Sequence, residues 1–198
     1  MPAFRLLAAL LIASTVVPAA AQFQSEGYKF LQAVRDSKND EVIAALNKPG
    51  ATLVNTRDVT TGEGALHIAI KRGDAPYVTF LLQKGADPNL RDGKNTTPMI
   101  LAATLGRTDL IHILSLAKAN PNLGNSSGET PLIRAVQRAD MAMARELLAD
   151  GADPDQRDFI AGKSARDYAD QATRNPAIAK LLAETPKKER RAVAGPKF

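Results

Sequence analysis

The feature that most limits what this chain can become is that it repeats itself. The segments LLQKGADPNLRD from Leu81, LSLAKANPNLGN from Leu114 and LLADGADPDQRD from Leu147 follow one another at intervals of 33 residues. A fixed period of this length means a row of small units, none able to bury its apolar face alone. Aligning on one alanine extends the series to Ala33, Ala69, Ala102, Ala135 and Ala169. Nine residues after each stands Val42, Val78, Ile111, Ala144 or Ile178. Three and four residues further on come Ala45 and Leu46, Leu81 and Leu82, Leu114 and Ser115, Leu147 and Leu148, and Leu181 and Leu182. Spacing of this kind lines one face of a helix. The unit therefore reads as a short helix around the alanine, a tight turn, a second helix and a polar loop.

Local signals agree with that reading. A small residue at the alanine position lets neighbouring helices approach closely, where a larger side chain would force the stack apart. Thr97-Pro98 and Thr130-Pro131 pair an N-cap with a residue whose missing N–H costs nothing in the first turn. Gly73 and Gly106 fall at the turn between helices, and Gly85 and Gly151 end the second helix, where a left-handed conformation is favoured.

The stretches GALHIAIKRGDAPYVTFLLQKGADPNLRD, TPMILAATLGRTDLIHIL and TPLIRAVQRADMAMARELLADGADPDQRD resemble ankyrin repeats, a likeness that runs from about Ser25 to Glu184. The resemblance implies an all-α solenoid of about five helix-turn-helix units with intervening β-turn hairpin loops. The units are expected at about 25–57, 58–91, 92–124, 125–157 and 158–184 within an array spanning 22–184. Gly64-Ala65 stands where the family has Thr-Pro, Lys118 replaces the helix-ending glycine, and only His67 fills the family's histidine position. The first and last units depart most, as suits terminal units whose outer faces meet water.

The first 22 residues, MPAFRLLAALLIASTVVPAAAQ, have the build of a secretory signal peptide over 1–21. Arg5 supplies a positive start, and the run Leu6 to Val17 is shorter than the roughly 20 residues a membrane span needs. Ala19, Ala20 and Ala21 offer small side chains for cleavage after Ala21. The expected location is the bacterial periplasm, with secretion as the alternative and no membrane span in the mature chain. The chain has no cysteine, which excludes disulfides, thiolate metal sites, a cysteine nucleophile and a lipid-bearing cysteine.

The formal charge of +5 is unevenly placed. Arg5 accounts for one charge and the tail PKKERRAVAGPKF, with five bases and one acid, for four, so the body between is neutral. A neutral body carries no electrostatic footprint for a phosphate backbone, and no nucleic-acid partner is expected. Residues 185–198 mix proline, glycine and charge with too little apolar material to pack and read as a disordered basic tail. Weak anion binding by that tail is an alternative function.

Catalytic chemistry has little to work with. The chain has two histidines, His67 and His112. The resemblance implies that His67 ties a hairpin to a helix by hydrogen bonds, and His112 falls off the packing face. Asp153, Asp155 and Asp158 alternate like calcium ligands, but Pro154 and Arg157 interrupt the pattern and no distal glutamate follows. Because Asp87, Asn89, Asn120 and Asn122 occupy matching places, a loop-capping role is expected, with no metal and no cofactor. An enzyme or inhibitor subunit on this scaffold stands as an alternative without a recognisable constellation.

What remains is a surface. The resemblance implies a concave face, lined by hairpin tips and by residues following the recurring alanine, that binds a partner protein. Carried over by position, its helix residues are Lys71, Arg72, Thr104, Leu105, Gln137 and Arg138, and its hairpin residues include Lys94, Thr96 and Glu129. Phe159 and Ile160 fall at the tip of the last loop, either as apolar anchors or folded back over the final unit. The expectation is a monomeric, non-catalytic protein-binding scaffold.

Overall fold

The computed structural model describes residues 25–48, 52–171 and 176–186. The expected signal segment and most of the basic tail lie outside these residues. Within them the chain forms α1 (Glu26–Arg35), α2 (Asn39–Leu46), α3 (Ala65–Arg72), α4 (Ala75–Gln83), α5 (Pro98–Leu105), α6 (Thr108–Leu116), α7 (Pro131–Gln137), α8 (Met141–Ala149), α9 (Ala165–Gln171) and α10 (Pro176–Glu184). A 3₁₀ turn, Leu53–Asn55, follows α2. No β-strand forms among the described residues, and an isolated bridge joins Arg157 to Ser164. None of the described helices is long and apolar enough to cross a membrane.

Each unit is an antiparallel helix pair. The first helices, α1, α3, α5, α7 and α9, pack side by side in one layer, and α4, α6, α8 and α10 form the second. The repeat explains why. All five aligned alanines are buried between first helices, and Val42, Val78, Ile111, Ala144 and Ile178 are buried along the second. Leu81, Leu114 and Leu147 lie in equivalent, fully buried places in one continuous core. Burial of a leucine of this kind contributes roughly 1.5–3 kcal/mol, so a row of them holds together units that would not fold singly.

The caps follow the sequence signals. Thr97 and Thr130 accept, each at 3.3 Å, from the N–H groups of Ile100 and Ile133, with proline in the first turn. Gly73 and Gly106 end their helices at φ 73°, and Lys118 holds the same left-handed region at φ 63° where Gly85 and Gly151 do so in other units.

The loops are joined from unit to unit by a polar ladder. Asn55 Oδ1 accepts from Asp87 N–H at 2.7 Å, Asn89 Oδ1 from Asn120 N–H at 2.7 Å, and Asn122 Oδ1 from Asp153 N–H at 2.6 Å. Asp87, Asn120 and Asp153 pass the connection on by accepting from the N–H two residues ahead. The aspartate–asparagine string thus spends its acceptors on backbone, and no group of three or more potential ligands suited to a metal occurs among the described residues. At the last unit the ladder ends differently. Asp155 takes the asparagine's place and pairs with Arg166 at 3.0 Å, and Arg166 also donates to the carbonyls of Leu182 and, at 3.1 Å, Thr185. Here a carboxylate, in place of the amide of the other units, holds the arginine that fastens α10.

Candidate functional site: the hairpin groove

The hairpins are built on one acidic or amide side chain each. Asp58, Asp92, Asn125 and Asp158 stand at the start of successive tips and accept from backbone N–H groups two to four residues on. Side-chain acceptance of this kind folds the tip without a strand partner. The hairpins are also joined in series. Gly93 N–H donates to Thr61 O at 2.8 Å, Ser126 N–H to Lys94 O at 2.9 Å, and Phe159 N–H to Ser127 O at 2.8 Å. Thr61 N–H, the Arg35 guanidinium and Thr60 N–H hold the Asp58 carboxyl well below the usual carboxylate range.

His67 fastens the second hairpin row to the helices. It is fully buried, accepts from Gly64 N–H through Nδ1 at 3.3 Å, and donates through Nε2 to Thr96 O at 2.9 Å. Burial pushes its pKa down and the bond to Thr96 opposes that shift, so the ring is held neutral. With both nitrogens used, His67 has the tying role expected of it. His112 is exposed on α6, with Nδ1 at 2.6 Å from Glu146 of α8.

Between hairpin tips and first helices runs a groove of about 820 Å³. Of the residues expected on the binding face, Lys71, Lys94, Thr96, Thr104 and Glu129 line it. They are joined by Glu63, Ser126, Ser127 and Arg134, with Ile100 and Leu101 beneath. Glu63 pairs with Lys71 at one end, and Glu129 pairs with Arg134 at 2.6 Å at the other. Between these pairs the aligned places hold Thr96 and Thr104, whose side chains are neutral. The groove therefore has ion pairs at its ends and the neutral Thr96 and Thr104 between them, with Asp92 and Lys94 of the middle hairpin also in its wall. Leu105, 45% exposed, follows Thr104 at the end of α5.

The remaining expected residues sit elsewhere. Arg72 donates to Val34 O at 2.9 Å and Ser37 Oγ at 2.8 Å, and stacks over the Tyr77 ring at 4.8 Å. Arg138 donates to Thr104 O at 3.1 Å. Arg107, which sequence reasoning did not single out, donates to Gly73 O at 3.1 Å. Each guanidinium reaches back to the carboxyl end of the preceding unit's first helix, where unpaired carbonyls and the helix dipole favour a cation. These three arginines clasp neighbouring units. An arginine within five residues of each alanine was the available signal, but the offset is three at Arg72 and Arg138 and five at Arg107, which hides the recurrence. Gln137 is exposed and accepts from Arg134 at 3.3 Å. Phe159 and Ile160 do not fold back over the last unit; they are 77% and 81% exposed, with the Phe159 ring against Gly128.

These features define a helical-repeat protein with a side-chain-lined groove along its hairpins. The family model for ankyrin repeats matches in three overlapping copies, over residues 30–123, 66–158 and 99–191, and the chain belongs to the ankyrin repeat family. It is 33% identical over 109 residues to an ankyrin repeat-containing protein of Treponema pallidum (strain Nichols), covering 54% of this chain and 36% of that protein. It is 34% identical over 141 residues to neurogenic locus notch homolog protein 1 of Xenopus laevis, covering 71% of this chain and 6% of that one. It is also 36% identical over 114 residues to the neurogenic locus Notch protein of Drosophila melanogaster, covering 57% and 4%. The chain thus spans little more than a third of the longest-covered of these relatives. Ankyrin repeats generally mediate protein–protein interaction, and the family is typically a non-catalytic scaffold.

Proposed function

We propose that this protein is a non-catalytic scaffold that binds a partner protein along the hairpin groove, in the periplasm of a bacterium. The observation that carries this reading is the contrast between the groove and the core at one and the same repeat spacing. Aligned core positions keep their character through the stack, whereas the groove positions read Glu63, Thr96, Glu129 and Lys71, Thr104. Positions that packing does not fix are those at which recognition can be written. The neutral Thr96 and Thr104 with Ile100 and Leu101 take an apolar or neutral side chain, and the charged groups at the paired ends and at Lys94 fix its register. The array acts as a monomer, and Leu105, Gln137 and the clasping Arg72 and Arg138 flank the footprint. Export is supported by the order of Arg5, an apolar run and small residues before Gln22.

A photo-crosslinking residue at Thr104 tests the binding face in living cells. A protein adduct from Thr104, lost when Lys94 and Glu129 are reversed in charge, is the expected result. Adducts from the opposite face at Ser115 with none from Thr104 would move the partner out of the groove. Osmotic-shock fractionation, with amino-terminal sequencing that begins at Gln22, tests the location.

A further inference from the structure

The series of hairpins is open at both ends, and the two ends match. In every interior joint the donor is the N–H just after the aspartate or asparagine that starts a tip. The acceptor is the carbonyl just before the left-handed residue of the preceding tip, so that Gly93 joins Thr61, Ser126 joins Lys94 and Phe159 joins Ser127. By the same rule the first hairpin offers the N–H of Val59, and the last offers the carbonyl of Ala161, just before Gly162 at φ 65°. Both residues are exposed, and neither group has a partner among the described residues. Unpaired backbone groups at the edge of such a series are a template for another chain.

The end hairpins also share one build. Asp58 N–H donates to Glu63 O at 2.9 Å and Asp158 N–H to Lys163 O at 3.0 Å, a span one residue longer than from Asp92 to Thr96 or from Asn125 to Glu129. Arg57 and Arg157 donate to the carbonyls of Gly62 and Gly162. A hairpin of this build already receives a following hairpin through Thr61 O, so its counterpart Ala161 O is shaped for the same task. Apolar side chains surround both free groups. Val59 is wholly exposed, and Phe159 and Ile160 largely so, while the middle tips are Gly93-Lys94-Asn95 and Ser126-Ser127. Between the first hairpin and the start of α1 lies a pocket of about 280 Å³, lined by Val59, Tyr28 and Leu31.

We infer that a second copy of this chain docks end to end on the first. The last hairpin of one array lies against the first hairpin of the next, with Ala161 O accepting from Val59 N–H and Ile160 entering the pocket beside Tyr28 and Leu31. The occupant of each end must carry what that end lacks, and the opposite end of the same chain does. Nearby ions are matched within each chain, Arg35 with Asp58 at 2.7 Å and Arg157 with Asp167 at 3.3 Å, so the contact buries no unpaired charge from these groups. Because the two surfaces differ, the contact is heterologous and repeats in line from copy to copy. A hairpin-sized contact is small, and joining is therefore weak and dependent on concentration. Each groove is complete within one array, so the monomer remains its binding unit and joining sets the grooves in a row.

Sedimentation velocity of the chain from Gln22 onward, which keeps every described residue, is the test. Mean mass is expected to rise with concentration through dimers to longer species. V59D and I160D should each weaken self-association about tenfold or more, with circular dichroism unchanged. An equimolar mixture of the two should form dimers as tightly as the unaltered chain and nothing longer, because the V59D copy keeps its last hairpin and the I160D copy its first. The mass of a single array at every concentration up to about 1 mM overturns the inference. Self-association that survives either substitution overturns it as well, since both ends are required, and so does a mixture that stays monomeric, which would leave two like ends packing on each other.

Discussion

The guanidinium of Arg138 lies against the α-carbon of Gly106, so close that a methyl group there would collide with it, and donates to the Thr104 carbonyl at 3.1 Å. Gly106 thus serves two ends at once. Its left-handed backbone closes α5, and its missing side chain lets the next unit's arginine reach the end of that helix. Arg107 lies over Gly73 in the same manner.

A prediction separates the two roles. At Gly85, also left-handed, a Cβ would meet nothing within 4 Å, so G85A should cost only the conformational strain, about 1 kcal/mol. G106A should cost about 2–3 kcal/mol, because the clasping hydrogen bond is displaced as well. K118G, which relieves the left-handed strain of a lysine, should stabilise by about 0.5–1 kcal/mol. Urea denaturation of the three variants checks the order.

The asparagine ladder should control cooperativity. Asn122 accepts from Asp153 N–H and donates to Gly151 O at 3.1 Å, so N122A removes two bonds between neighbouring units and strands a backbone donor. The expected loss is about 2 kcal/mol. In a one-dimensional stack, weakening one joint splits the unfolding transition, and hydrogen exchange should show α9 and α10 opening before α5.

Arg166 should decide whether the last unit stays closed. R166A frees the carbonyls of Leu182 and Thr185 and leaves Asp155 unpaired. Protection of the amides in α10 against hydrogen exchange should fall about tenfold or more, while α3 to α7 keep theirs. Equal loss throughout the array would show that the cap does not act locally.

His67 gives the fold a dependence on pH whose sign follows from its burial. Its pKa in the folded chain lies below the ordinary 6.5, so the unfolded chain binds the proton first as pH falls. The stability associated with the neutral ring is whole above about 6.5 and is lost as pH drops from there through the folded value. Denaturation midpoints should fall from pH 8 to pH 5 in the unaltered protein, and much less in H67Q. A slope that survives H67Q would assign the effect to another group.

Much of the architecture was legible in the chain. The spacing of Ala33, Ala69, Ala102, Ala135 and Ala169 marked the seam between first helices, and Leu81, Leu114 and Leu147 occupy equivalent core places as their period required. Thr97, Thr130, Gly73 and Gly106 close their helices as their types dictate. The groove was legible in part. Position relative to the alanine identified Lys71 and Thr104 as groove residues, but it also suggested Arg72 and Arg138, whose long side chains turn back to the preceding unit. An arginine's Cα can be placed by periodicity, whereas the end of its side chain goes to the nearest unpaired carbonyls, which belong to a helix about 34 residues away.

By itself the sequence determined the period, and with it a linear stack whose units share one core, because apolar spacing is a local property that each segment carries. Only the tertiary structure decided which polar side chains are spent on joining units and which remain free. That choice depends on how far one unit sits from the next, a distance set by the packing of buried alanines and leucines. It placed Arg72, Arg107 and Arg138 in the joints and left Thr96, Thr104 and Lys94 facing the groove.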